Sequence, residues 1–206
     1  MPREIDLIVM PRKARFAPPG YWMHIVQRGH QEQSIFRHDD DRQAYLGLLA
    51  GYAEDRQVQI LGYTLMPNHV HLIALGKYPR AVAECLRCLN GHYGQRMHSR
   101  QESSGRFWQD RYDSCIVDER HLRSALRYVE QNPLRAGLVE NSTLYPWSSA
   151  AHHTGRQRGS QLLNQDEFAR RFTPSEWRLA LLYRQAQHEV DAIRAATRAG
   201  DRKSVV

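Results

Sequence analysis

The stretch LMPNHVHLIAL, Leu65 to Leu75, decides how the chain is read. Pro67 and Asn68 form a turn signal between two β-rich runs, VQILGYTLM before and HVHLIAL after, so the spacing predicts an antiparallel hairpin. On the second strand His69 and His71 are two residues apart and share a face, while Val70 turns to the other. Two imidazoles side by side can ligate one divalent ion. In a chain with 11 histidines they can equally be satisfied surface groups.

Upstream, YWMHIVQRG reads as a strand with Trp22, His24 and Val26 on one face and Met23 and Ile25 on the other, ended by Gly29. HDDDRQAYLGLLAGYAEDR opens with acids suited to a helix N-terminus, and Tyr45, Leu48, Leu49 and Tyr52 then recur at helical spacing. Downstream, a helix is predicted over about Pro79 to His98 on Val82, Leu86 and Leu89. RFWQDRYDSCIVD reads as a strand or a bent pair of extended segments. A third helix, ERHLRSALRYVEQN, is capped by Asp118 and stopped at Pro133.

The order strand, helix, strand, strand, helix, strand, helix predicts an α+β fold, a split βαβ, ferredoxin-like antiparallel sheet with helices on one face. Helical runs around Phe168 to Phe172, Trp177 to Tyr183 and Val190 to Arg198 add a small C-terminal helical appendage. The organisation expected is a basic arm over 1–19, rich in proline and carrying Arg3, Arg12, Lys13 and Arg15, a main domain over 20–150 and a C-terminal extension over 151–206.

The formal charge is +7, and Lys occurs only at Lys13, Lys77 and Lys203, so 26 of the 29 basic residues are arginine. Arginine suits phosphate, because its fork matches two phosphate oxygens at once. Genomic codon bias produces the same enrichment, so charge makes nucleic acid a candidate partner and no more. Cys85, Cys88 and Cys115 are too few for a disulfide framework, and Cys85 and Cys88 lie mid-helix without a second pair to complete a zinc site. No N-terminal apolar segment resembles a signal peptide or membrane span, so a cytoplasmic location is expected.

Tyr128 and Asn132 are four apart on the third helix and so about one turn, roughly 6 Å, from each other on the flank of its apolar stripe. Each has a plain reading, an amphipathic tyrosine and a helix-stop asparagine. Facing two imidazoles, they could also assemble a site for metal-assisted attack on a phosphodiester, with Tyr128 as nucleophile. Asn132 could complete a ligand set of two nitrogens and one oxygen, which suits Mg²⁺ or Mn²⁺ better than a closed zinc.

LMPNHVHLIAL, GRFWQDRYDSCIVDERHLRSALRYVEQNPLRAGLVE and YPWSSAAHHTG, with the opening HIVQRGHQEQSIFRHDDDRQAYL, together resemble the REP-associated tyrosine transposases, a group of single-tyrosine HUH transposases. The resemblance spans about Gly20 to Gly155. It implies a ferredoxin-like enzyme that nicks and rejoins single-stranded DNA beside imperfect hairpins. His69 and His71 would be its metal ligands, Asn132 the third ligand and Tyr128 the nucleophile forming a 5′-phosphotyrosine. Related insertion-sequence enzymes often carry Gln at the third position.

It also implies a monomer acting in cis, although insertion-sequence relatives work as dimers. A hairpin-binding protein without cleavage, and a hydrolase activating water at the two histidines, are the alternatives. Candidate DNA contacts are Arg28, Arg37, Arg106, Arg111 and Arg135, with Trp108 and Trp147 as base-stacking platforms. The sequence departs from longer relatives after Gly200, where Asp201, Arg202 and Lys203 replace a Pro-Leu-Gly type tail.

Overall fold

The computed structural model describes residues 19–200. The arm with Arg3, Arg12, Lys13 and Arg15, and the stretch from Asp201 onward, lie outside the described residues. Four strands, β1 (Trp22–Arg28), β2 (Val58–Met66), β3 (His69–Gly76) and β4 (Asp113–Val117), form one antiparallel sheet in the order β2-β3-β1-β4. The hairpin at Pro67 and Asn68 forms as expected and sets Met66 opposite His69 and Thr64 opposite His71. Central β1 pairs with β3 on one side and β4 on the other, so His24 lies beside the histidine strand. The α+β, ferredoxin-like arrangement is the one the element order predicts.

The helices divide between two faces. Helices α1 (Asp39–Asp55) and α2 (Ala81–Gln101) cover the first, burying Tyr45, Leu49, Leu86 and Tyr93 against Ile25, Val70 and Leu72. Buried Asp41 fixes the start of α1 by accepting from the backbone N–H of Arg37 and His38, both at 2.9 Å, and pairs with Arg100 at 2.7 Å. The second face, expected to be open, is covered by α3 (Leu122–Glu130) together with α7 (Pro174–Leu182) and α8 (Gln187–Ala199). The reason is in the strands: Trp22, Leu61, Ile73 and Val117 make this face apolar too, and a sheet apolar on both sides needs two layers of cover. Short helices α4 (Asn132–Arg135), α5 (Ala150–His153) and α6 (Gln165–Ala169) connect this layer.

The third helix differs from expectation at both ends. Asp118 accepts from the backbone and ring nitrogens of His121 at 3.0 and 2.6 Å, closing a turn ahead of the helix rather than capping it. The helix ends at Glu130 and restarts as α4 with Pro133 in its first turn. Pro133 has no N–H to give to the preceding turn, and the side-chain Nδ2 of Asn132 substitutes, donating to the carbonyls of Tyr128 at 2.9 Å and Val129 at 3.3 Å.

Gly62 sets how closely α3 approaches the sheet. The β2–β3 register shifts between Ile60 and Gly62, and a Cβ at Gly62 would stand 2.2 Å from Leu126 Cδ1. Gly62→Ala is therefore expected to overpack this layer, costing about 1–3 kcal/mol in urea unfolding.

Candidate active site

The second face ends, at the tip of β3, in a groove of about 830 Å³. His69 and His71 from β3, His24 from β1, Tyr128 from α3 and Asn132 and Arg135 from α4 converge on it. Strand alternation puts His24, His69 and His71 on this face, and the break after α3 brings Asn132 over it. The rings of His69 and His71 are 4.9 Å apart, and Tyr128 meets His71 edge-on at 5.6 Å and His24 at 5.4 Å. Tyr128 is buried in the second core rather than lying on a flank, with only 5% of its surface exposed.

Hydrogen bonds fix which ring nitrogens are available. Asn68 Oδ1 can only accept, so the 2.6 Å contact makes His69 Nδ1 a donor and leaves Nε2 with the lone pair. His71 Nδ1 lies 3.0 Å from His24 Nε2, and His24 Nδ1 lies 2.8 Å from Thr197 Oγ1. Asn132 spends its Nδ2 on the carbonyls of α3, so its Oδ1 is left to accept.

No group of three His, Cys, Asp or Glu side chains suited to a metal is present among the described residues. What His69, His71 and Asn132 could offer a metal is two imidazole nitrogens, on rings held through their far Nδ1 atoms, and one amide oxygen. An open set of that kind fits Mg²⁺ or Mn²⁺, which keep water and substrate oxygens among their ligands.

The histidines are neutral at ordinary pH. Burial, with the Arg135 charge second, holds His24 down at about 3. Burial and then Arg28 lower His69 to about 4, and burial, then His69, His24, Arg135 and Arg28, takes His71 well below 6.5. An unfolded histidine takes its proton near pH 6.5, so these groups favour the fold fully above that pH, and the benefit is lost as pH falls from 6.5 toward their folded values. For metal-free protein, urea midpoints should drop between pH 7 and 5, most steeply below 6.5, where His24 and His71 are protonated in the unfolded chain and not in the fold. His24→Phe should make that decline shallower.

Arg135 lies with its guanidinium 4.3 Å from the ring centroid of Tyr128 and donates from Nη2 to the Tyr128 carbonyl. Its Nε and Nη1 are buried without a partner. Burial lowers it to about 10, against an opposing contribution from Tyr128, and leaves it charged at neutral pH. Two desolvated N–H donors on a retained cation suit an anion.

Of the other candidate contacts, Arg28 and Arg111 line the groove with Arg135. Arg37 and Arg106 are exposed and do not line it, although Arg106 donates at 3.5 Å to the carbonyl of Gln109, which does. Trp108 is packed beside Phe107 and Tyr93 and donates to the Asn90 carbonyl at 2.8 Å, and Trp147 lies under the guanidinium of Arg42. Neither tryptophan lines the groove. Sequence reasoning missed His24 and, from α8, Arg194, Thr197 and Arg198, which form the far wall. Strand alternation could have flagged His24, but nothing local marks Thr197.

A family model described as "Transposase IS200 like" matches residues 19–132. Among solved structures, the chain is similar to a REP-associated tyrosine transposase bound to a REP hairpin, with a TM-score of 0.61 and 16% identity over 74% of this chain and 90% of that one. It is also similar to a candidate transposase from Deinococcus radiodurans R1, with a TM-score of 0.42 and 18% identity over 59% of this chain and 97% of that one. No curated protein matches. The matched span includes His69, His71, Tyr128 and Asn132 and ends before Arg135 and α8.

Proposed function

Because the chain belongs to the IS200-like transposase family, we propose that it is a divalent-metal-dependent endonuclease and strand transferase for single-stranded DNA, cutting beside imperfect, REP-like hairpins. The observation that carries this reading is the convergence on one groove of a tyrosine, a half-buried arginine and two histidines tied through Nδ1. The hairpin bound to the structural relative supports the partner class.

His69, His71 and Asn132 would hold Mg²⁺ or Mn²⁺, which when bound polarises the scissile phosphate. Tyr128 Oη attacks phosphorus and gives up its proton, an Oη–P bond forms, the P–O3′ bond breaks, and the 3′ oxygen takes up a proton and leaves as a hydroxyl, so the proton count is unchanged. The phosphotyrosine keeps the phosphodiester energy, so a 3′-OH can reverse the step and join strands without ATP. Arg135 offers Nε and Nη1 to the phosphate oxygens, where charge grows in the transition state. Arg28 and Arg111 extend the basic wall along the strand backbone. Tyr128 faces the histidines of its own chain, which supports a monomer acting in cis.

Labelled single-stranded hairpin oligonucleotides incubated with the protein and Mg²⁺ or Mn²⁺ test the reading on a denaturing gel. The expected result is a metal-dependent cut with a protein-linked band. Salt-sensitive hairpin binding without cleavage would instead make it a binding protein.

A further inference from the structure

The C-terminal helix α8 reaches the histidines through a chain of hydrogen bonds whose direction can be read. Thr197 Oγ1 lies 2.7 Å from the Ile193 carbonyl, and two oxygens that close attract only if the hydroxyl hydrogen lies between them. With its proton spent there, Thr197 Oγ1 accepts from His24 Nδ1–H at 2.8 Å, and from the Cys115 thiol at 3.4 Å. A neutral His24 carrying its proton on Nδ1 has a lone pair on Nε2 and accepts from His71 Nδ1–H at 3.0 Å. The two ring planes are within 5° of parallel with centroids 5.2 Å apart, which suits an in-line bond between their edges. His71 is left with its Nε2 lone pair on the groove side.

We propose that Thr197 is a positioning residue which, through His24, fixes the ring and the tautomer of His71, so that α8 is a structural part of the metal site. This rests on the reading of His69 and His71 as metal ligands. The chain predicts what happens when its last acceptor goes. Without the Thr197 oxygen, buried His24 Nδ1–H has no partner, and the favoured tautomer moves the proton to Nε2. His24 then donates to His71 Nδ1, which forces the His71 proton onto Nε2, where it competes with a metal ion. Thr197 lies 65 residues beyond the end of the family match at Asn132, so this link is built from outside the matched segment.

The test uses the full chain as wild type, Thr197→Val, Thr197→Ser and Thr197→Ala, Val keeping the volume and Ser the oxygen. Mn²⁺ affinity is read from the electron paramagnetic resonance of free Mn²⁺, and the His71 tautomer from ¹⁵N ring shifts of metal-free protein. Thr197→Val should weaken Mn²⁺ by about 10- to 100-fold and move the His71 proton to Nε2, and Thr197→Ser should restore both. If Val impairs folding, the Ser and Ala pair makes the same comparison. Wild-type affinity and an unchanged tautomer in Thr197→Val or Thr197→Ala would overturn the proposal. A wild-type protein that binds no Mn²⁺ would overturn the metal reading, and the ring shifts would still decide the relay by themselves.

Discussion

Tyr128→Phe is expected to remove the protein-DNA adduct entirely and to lower cleavage of hairpin oligonucleotides by on the order of 10³-fold or more. The phenyl ring keeps its place against His71 and His24, so urea unfolding should change by less than about 1.5 kcal/mol. Binding to uncut hairpin should persist, because Arg28, Arg111 and Arg135 are untouched and the electrostatic part of the affinity belongs to them. The result is read from a denaturing gel beside a binding titration at two salt concentrations. Cleavage that survives the substitution with free 5′-phosphate ends would mean that the histidines activate water. The same loss of adduct with loss of hairpin binding would instead place Tyr128 in substrate recognition.

Much of this site is legible in the sequence because two periodicities do the work. Alternation puts His69 and His71 on one face of β3, and the 3.6-residue period puts Tyr128 and Asn132 one turn apart. What periodicity cannot supply is which elements face each other. His24 becomes part of the site only because β1 pairs with β3, and Thr197 only because α8 folds back over β4 and β1. Both depend on the second face of the sheet being covered. Its apolar residues, Trp22, Ile73 and Val117, were present in the sequence, yet a strand buried on both faces shows a continuous apolar run with no clean alternation to say so.

The aromatic candidates failed to reach the groove for a related reason. A tryptophan with its indole N–H tied, as in Trp108, and one covered by an arginine, as in Trp147, read in sequence like any other tryptophan. Arg135 illustrates the converse. Its position two residues after Pro133 marks only a helix exit, whereas its place over Tyr128 with two unpartnered donors suits it to an anion.

Glu130→Ala should cost about 3–5 kcal/mol, although the residue lies outside the groove. Glu130 is fully buried at the end of α3, and its carboxylate joins three elements of the second layer. It accepts from Ser149 Oγ at 2.5 Å, from His153 Nδ1 at 2.6 Å and from Trp177 Nε1 at 2.7 Å. Removing it strands the buried His153 and Trp177 donors, while the Ser149 hydroxyl keeps the Tyr63 carbonyl at 3.3 Å, and nothing of matching shape fills the space. Around it His153 stacks on Phe168 at 3.8 Å, and Trp177 packs on both Phe168 and Phe172, so the helices that carry these rings lose one shared attachment to α3.

Glu130→Gln preserves the volume but turns one accepting oxygen into an N–H facing donors, so it should also destabilise strongly. Urea unfolding followed by tryptophan fluorescence measures both, with exposed Glu140→Gln, expected within about 0.5 kcal/mol of wild type, as the reference. Since α3 carries Tyr128 and α8 carries Thr197, folded Glu130 variants should bind Mn²⁺ more weakly as well. A Glu130→Ala protein of near wild-type stability would show that apolar packing and the Gln131 and Gln185 hydrogen bonds hold the C-terminal helices without the Glu130 carboxylate.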